Sequence, residues 1–157
     1  MACPYFIPEQ RCETELWQHR ARLPLGDGFT GHCCAQPEPY HPAEGELREF
    51  CNIGYAKACP QLPAGRDADS VRFMAREIPA RDLPANGGPA DRGDALISIK
   101  YLLELGHAPV ADGELRYDLA TAQWQSPHPD KRVQTKAQCY LDSHLARRPA
   151  AARATAK

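Results

Sequence analysis

The chain has 157 residues and a net charge of −1, which excludes a global field that would draw it to nucleic acid or to a membrane surface. Fifteen prolines and eleven glycines, with a mean hydropathy of −0.56, leave few core-forming residues, so the loops need ties beyond apolar burial. Metal ligation and disulfides are the usual supplements.

In chain order, Glu13–Leu23 reads as helical, with Leu16, Trp17 and Leu23 able to face inward. A glycine-rich loop, Leu25-Gly-Asp-Gly-Phe-Thr-Gly, then leads to Cys33 and Cys34. It lacks the G-x4-G-K-[ST] pattern and the preceding strand of a phosphate loop, so it reads as a structural turn that Asp27 could cap. Pro42 opens a second short helix. Glu44 and Glu46 favour its first turn, Leu47 and Phe50 supply its apolar side, and Gly54 is a stop that would let the backbone reverse.

Gln61–Asp69 is a polar linker, and beyond it the apolar period changes from helical to two. Val71 and Phe73 alternate with Arg72 and Met74, as in a strand. Pro79–Asp94 reads as a long loop. The clearest strand is Leu96–Leu105, with Ile97, Ile99, Tyr101, Leu103 and Leu105 on one face and Ser98, Lys100 and Glu104 on the other. Gly106-His-Ala-Pro turns the chain, and Val110–Tyr117 returns as the second arm of a hairpin with Leu115 and Tyr117 inward. Asp130 is an N-cap candidate for a helix to about Arg148, with Val133, Ala137, Tyr140, Leu141 and Leu145 as its apolar stripe.

The expected fold class is α+β: a cysteine-rich part of loops and short helices, residues 1–62, followed by a small antiparallel sheet backed by a C-terminal helix, residues 70–148. Residues 1–60 hold eight acids and five bases, a charge of −3, and residues 61–157 hold twelve and fourteen, a charge of +2. The only local bias is Arg147–Lys157, with four bases and no acid; residues 149–157 read as a solvated basic tail.

Six of the seven cysteines (Cys3, Cys12, Cys33, Cys34, Cys51 and Cys59) fall in the first sixty residues. No apolar run approaches the ~20 residues of a membrane span, and Met1-Ala-Cys-Pro-Tyr-Phe lacks the segments of a secretory signal. The expectation is a cytoplasmic chain, where thiols stay reduced and a cysteine cluster binds metal more readily than it forms disulfides. Cys139 projects about 200° from Ala137 at ~100° per residue, toward solvent and apart from the others.

Cys3 and Cys59 are each followed by proline, at Pro4 and Pro60. Proline fixes φ and removes one amide, so the chain turns away from the thiolate. The dipeptide resembles the Cys-Pro that closes the bacterial ferredoxin cysteine run, and the resemblance covers that dipeptide alone. Cys51 and Cys59 form the tightest pair outside the Cys33–Cys34 doublet. Adjacent cysteines point apart, so one of the doublet should ligate. Cys33 is favoured because Gly31 lies two residues before it and a glycine-rich approach brings amides close; Cys34 competes, and His32 is a minor alternative.

The proposed ligands are Cys3, Cys33, Cys51 and Cys59. Structural zinc takes close C-x2–4-C pairs, because one tight turn must present two thiolates to one ion. No such pair occurs, and Cys3 and Cys33 lie about thirty residues apart. A cubane is larger and accepts one cysteine from each of four segments, so the spacing points to a [4Fe–4S] cluster, with Zn as the alternative cofactor. Buried, unligated thiols are the third reading.

No two of the six histidines lie at i, i+4, and no pattern selects a catalytic pair; His107 falls in a hairpin turn and His128 between prolines. Trp17, Tyr40 and Tyr55 are expected to pack around the centre and restrict solvent. The functional expectation is electron transfer or redox sensing with a redox or scaffold protein partner, without nucleic acid or membrane. A structural zinc-binding interaction module is the alternative, and an enzymatic role is the least favoured.

Overall fold

The computed structural model describes residues 1–12, 17–55, 59–79 and 96–148. The Pro79–Asp94 loop, apart from Pro79, and the basic tail 149–157 lie outside the described residues. The fold is α+β, with two antiparallel sheets and a long C-terminal helix.

Two strands, β1 (Phe6–Arg11) and β2 (Phe29–Cys33), pair antiparallel in the cysteine-rich part. Sequence periodicity did not point to this ribbon: Pro8 interrupts β1, and the register slips between Pro8 and Gln10. Gly31 faces that irregularity. A Cβ there would collide with the Ile7 carbonyl, so its glycine permits the close strand approach.

Of the expected Glu13–Leu23 helix, residues 13–16 lie outside the described set, and the rest forms only a 3-10 turn at Arg20–Arg22. Pro24 biases the preceding residue toward extended backbone, and Leu23 takes ψ 153°. The helix after Pro42 is present and short. Its first turn, α1 (Glu44–Glu46), widens into a π-helical turn, Leu47–Cys51, in which the Asn52 amide donates to the Leu47 carbonyl at 3.2 Å.

The second sheet runs in the order β3 (Ser70–Ile78), β4 (Leu96–Leu105), β5 (Ala108–Asp118) and β6 (Gln123–Ser126). Gly106 and His107 join β4 to β5 with φ of 58° and 68°, the left-handed pair that matches strand twist in a two-residue hairpin. Val110 is the extra residue of a bulge, since Leu103 pairs with Ala111 and Glu104 with Pro109. The outer face of β4 is covered at its far end: Glu104 is buried and accepts from Tyr55 Oη at 2.8 Å, Ser70 Oγ at 3.1 Å and Arg72 at 3.0 Å.

Helix α2 (Lys131–Ala146) starts where expected, with the Asp130 carboxylate accepting from the Arg132 amide at 2.7 Å. Its Ala137 and Leu141 pack with Ile97, Ile99 and Leu115 of the sheet. Val133 belongs to a second apolar cluster with Ala2, Phe6, Leu25, Phe29, Leu47, Cys51 and Val71, so residues from both parts of the chain share one core. Phe73 and Tyr140, stacked at 5.6 Å, join the two clusters.

Cys139 is not on the solvent side. It packs against the first cluster, and burial pushes its thiol up to about 11. Helix α2 is covered by β1 as well as by the sheet, which widens its buried face beyond the stripe that a sheet alone would require.

Candidate metal centre

Four separate segments bring Cys3, Cys33, Cys51 and Cys59 to one pocket, which Tyr5, Phe6, Ala35, Phe50, Gln61, Leu62 and Asp69 complete. Cys3 precedes β1 on a segment anchored to the second sheet, where Ala2 and Val71 exchange amide–carbonyl bonds of 2.6 and 2.9 Å. Cys33 ends β2 and is held by Tyr40, whose backbone exchanges bonds of 2.7 and 3.1 Å with it. Cys51 ends the π-helical turn. Cys59 lies on the segment beyond residues 56–58.

The doublet divides as adjacent residues on an extended chain must. Cys33 lines the pocket, whereas the Cys34 thiol donates to the Tyr5 carbonyl at 3.1 Å. Cys12 is buried but does not line this pocket.

Backbone amides face two of the pocket sulfurs. The amides of Tyr5 and Phe6 near Cys3, and that of Ala35 near Cys33, pull those thiols down. Such amides favour the thiolate. The surroundings act the other way. Burial pushes the Cys3, Cys33 and Cys51 thiols up, and the sulfurs raise one another: Cys51 responds to Cys3, Cys33 and Cys59, and Cys33 to Cys59. Four thiolates in this pocket require a compensating cation, which a metal or cluster supplies. The donor set therefore fits a thiolate-ligated centre.

Among the described residues, no three His, Cys, Asp or Glu side chains are gathered so as to hold a single ion. His32 turns instead to Glu9, at 2.8 Å.

Two supporting residues were not singled out in the sequence. Asn52, 3% exposed, accepts from the Phe29 amide at 2.8 Å and donates to the Phe29 and Leu47 carbonyls at 3.0 Å each. It thereby locks the turn that carries Cys51 to the strand that carries Cys33. Its signal was the Cys-Asn-x-Gly run after an apolar helix, where a polar residue inside the cluster of ligands invites a clamp. Lys136, fully buried on α2, donates to the Pro4 carbonyl at 2.9 Å and the Arg132 carbonyl at 3.1 Å. Burial pulls its ammonium down to about 8, against the raising effect of the Cys3 and Cys34 sulfurs.

Gly54 does not reverse the chain by a left-handed φ; Tyr55 does, at φ 62°. Gly54 is small because a Cβ there would press on Ser70 and the Ala2 carbonyl. The aromatic shell also differs from expectation. Tyr5, Phe6 and Phe50 line the pocket, while Trp17 lies against Gly28 and Tyr55 stacks on His107 at 4.1 Å, bonded to Glu104. Tyr40 is adjacent through its backbone to Cys33, with its hydroxyl turned to Glu46 at 2.6 Å.

Fold and site together describe an α+β chain with a four-cysteine pocket between two antiparallel sheets. Comparison with protein-family models, with curated proteins and with solved structures finds no match. Among the described residues, no helix is long and apolar enough to cross a membrane.

Proposed function

We propose that this chain is a small iron–sulfur protein whose [4Fe–4S]-type cluster is held by Cys3, Cys33, Cys51 and Cys59 and serves one-electron transfer or redox sensing. One observation carries the reading: four cysteines from four separate segments line a single pocket. Bound there, such a cluster would supply a one-electron couple.

Each ligand comes from its own segment, without a close pair on one turn, which favours a cluster over zinc. The apolar side chains Phe6, Phe50 and Leu62 would restrict water, one of the levers on cluster potential.

Four cysteine ligands leave no open position for a substrate, so the electron would pass to or from a protein partner.

The test is anaerobic purification followed by visible spectroscopy and metal analysis. Broad absorbance near roughly 400 nm that bleaches with dithionite, with iron and sulfide in equal amounts, supports the reading. A colourless protein with stoichiometric zinc overturns it in favour of a structural zinc module.

A further inference from the structure

Lys136 presents a physical problem that its own helix does not solve. An ammonium carries three donors and costs several kcal/mol to bury without an opposing charge. Lys136 is 0% exposed, and its Nζ reaches only backbone carbonyls, Pro4 at 2.9 Å and Arg132 at 3.1 Å. Among the described residues it forms no ion pair with a carboxylate. The groups that favour its charge are Cys3 and Cys34, followed by Asp130, while Arg132 opposes it.

Its placement on α2 is equally specific. Val133, Ala137 and Leu141 form the buried stripe, and position 136 lies beside it, one turn after Val133. An apolar residue there would extend the stripe. A lysine places one positive charge at the Pro4 carbonyl, next to Cys3.

We propose that Lys136 is a positioning residue for the metal centre, fixing the Cys3 loop through the Pro4 carbonyl and supplying the buried positive charge that offsets the negative thiolate–cluster assembly and raises its reduction potential. The inference rests on the iron–sulfur reading of the pocket. Four thiolates give an oxidised [4Fe–4S]2+ centre a net charge of −2, and one-electron reduction takes it to −3. A fixed positive charge nearby favours the reduced form, since net charge is among the levers on cluster potential.

Two variants separate the roles. Lys136→Gln keeps a donor for the Pro4 carbonyl and loses the charge, while Lys136→Met loses both. Each is purified anaerobically as the full chain and titrated with dithionite, which supplies the electron, with redox dyes to read the potential. The expected result is a lower midpoint potential in both variants, with iron content retained in Lys136→Gln and diminished in Lys136→Met. Cys139→Ser should leave the potential unchanged.

A full iron complement in Lys136→Gln with the wild-type potential overturns the proposal. If neither variant folds, the wild-type chain is acetylated with an amine reagent and mapped by mass spectrometry. Protection of Lys136 in the iron-loaded protein that is lost on chelation supports the proposal, and equal reactivity in both forms refutes it. If the wild type binds no iron, the reading of the pocket itself fails, an outcome distinct from either.

Discussion

Asn52→Leu is the perturbation that separates positioning of the metal centre from general stability. Leucine keeps the branched heavy-atom skeleton of asparagine, but it removes the amide that closes on both backbone groups of Phe29. The Leu47 carbonyl keeps one partner, the Asn52 backbone amide, so the orphaned groups are the Phe29 N–H and C=O. Each buried polar group left without a partner costs about 1–3 kcal/mol. The pair together gives about 2–6 kcal/mol, part of it offset by the apolar atoms gained. Urea unfolding followed by far-UV circular dichroism measures this directly, with an unchanged slope expected because the exposed surface is similar. A loss below about 1 kcal/mol would refute the reasoning. The second readout is metal retention under a chelator. Leu141→Ala, in the core between sheet and helix, should cost about 2–5 kcal/mol and serves as the comparison. Asn52→Leu should lose iron faster than Leu141→Ala at equal destabilisation, because it loosens Cys51 from Cys33. Equal rates would mean that Asn52 acts on stability alone.

Cys33→Ser should abolish the chromophore and Cys34→Ser should retain it, since only Cys33 lines the pocket while the Cys34 thiol is turned to the Tyr5 carbonyl; visible spectra of the two decide it. The hydrogen bonds from Arg132 hold the Asp130 carboxyl below the ordinary range, against the push of burial. A lowered folded value means stability present above the unfolded carboxylate pKa and lost as pH falls, so the urea midpoint should drop below about pH 4, less steeply in Asp130→Asn. The metal-free protein should show the opposite trend in alkali. Burial raises the Cys3, Cys33 and Cys51 thiols above the usual 9.0, so their contribution is full below that value and is lost as pH rises beyond it. Bound metal should flatten this loss.

The sheet and its helix were legible because their signals are local. Ile97 and Ile99 alternate with Ser98 and Lys100, Gly106 marks the turn, and Asp130 caps α2, each within a few residues of its effect. The β1–β2 ribbon was not legible, because Pro8 and the bulge erase the period of two that announces a strand. The cysteine spacing pointed to Cys3, Cys33, Cys51 and Cys59, and these four line one pocket, while the Cys34 thiol is turned to the Tyr5 carbonyl. Gly31 also answers to a second demand that the spacing did not show, the close approach of Ile7 across the ribbon. The placement of Cys139 failed for a related reason: a helical wheel reveals one apolar stripe, and only the tertiary fold shows that β1 covers a second side. Lys136 was legible in principle, as a charge beside the stripe, and was passed over because lysine is read by default as solvated.

The pocket draws its walls from elements that meet at the shared core. Cys3 is tied to the second sheet through Ala2 and Val71 and to α2 through Pro4 and Lys136. Cys33 and Cys51 belong to the ribbon and the π-helical turn, joined by Asn52. A chain with a thin apolar supply gains most from a tie that spans such elements, because closing long loops removes the most freedom from the unfolded chain. In the proposed metal-bound state the thiolates that repel one another would become the ligands that draw four segments together. The binding free energy would then be folding free energy, delivered at the junction where the two sheets share the Phe6, Val71 and Val133 core.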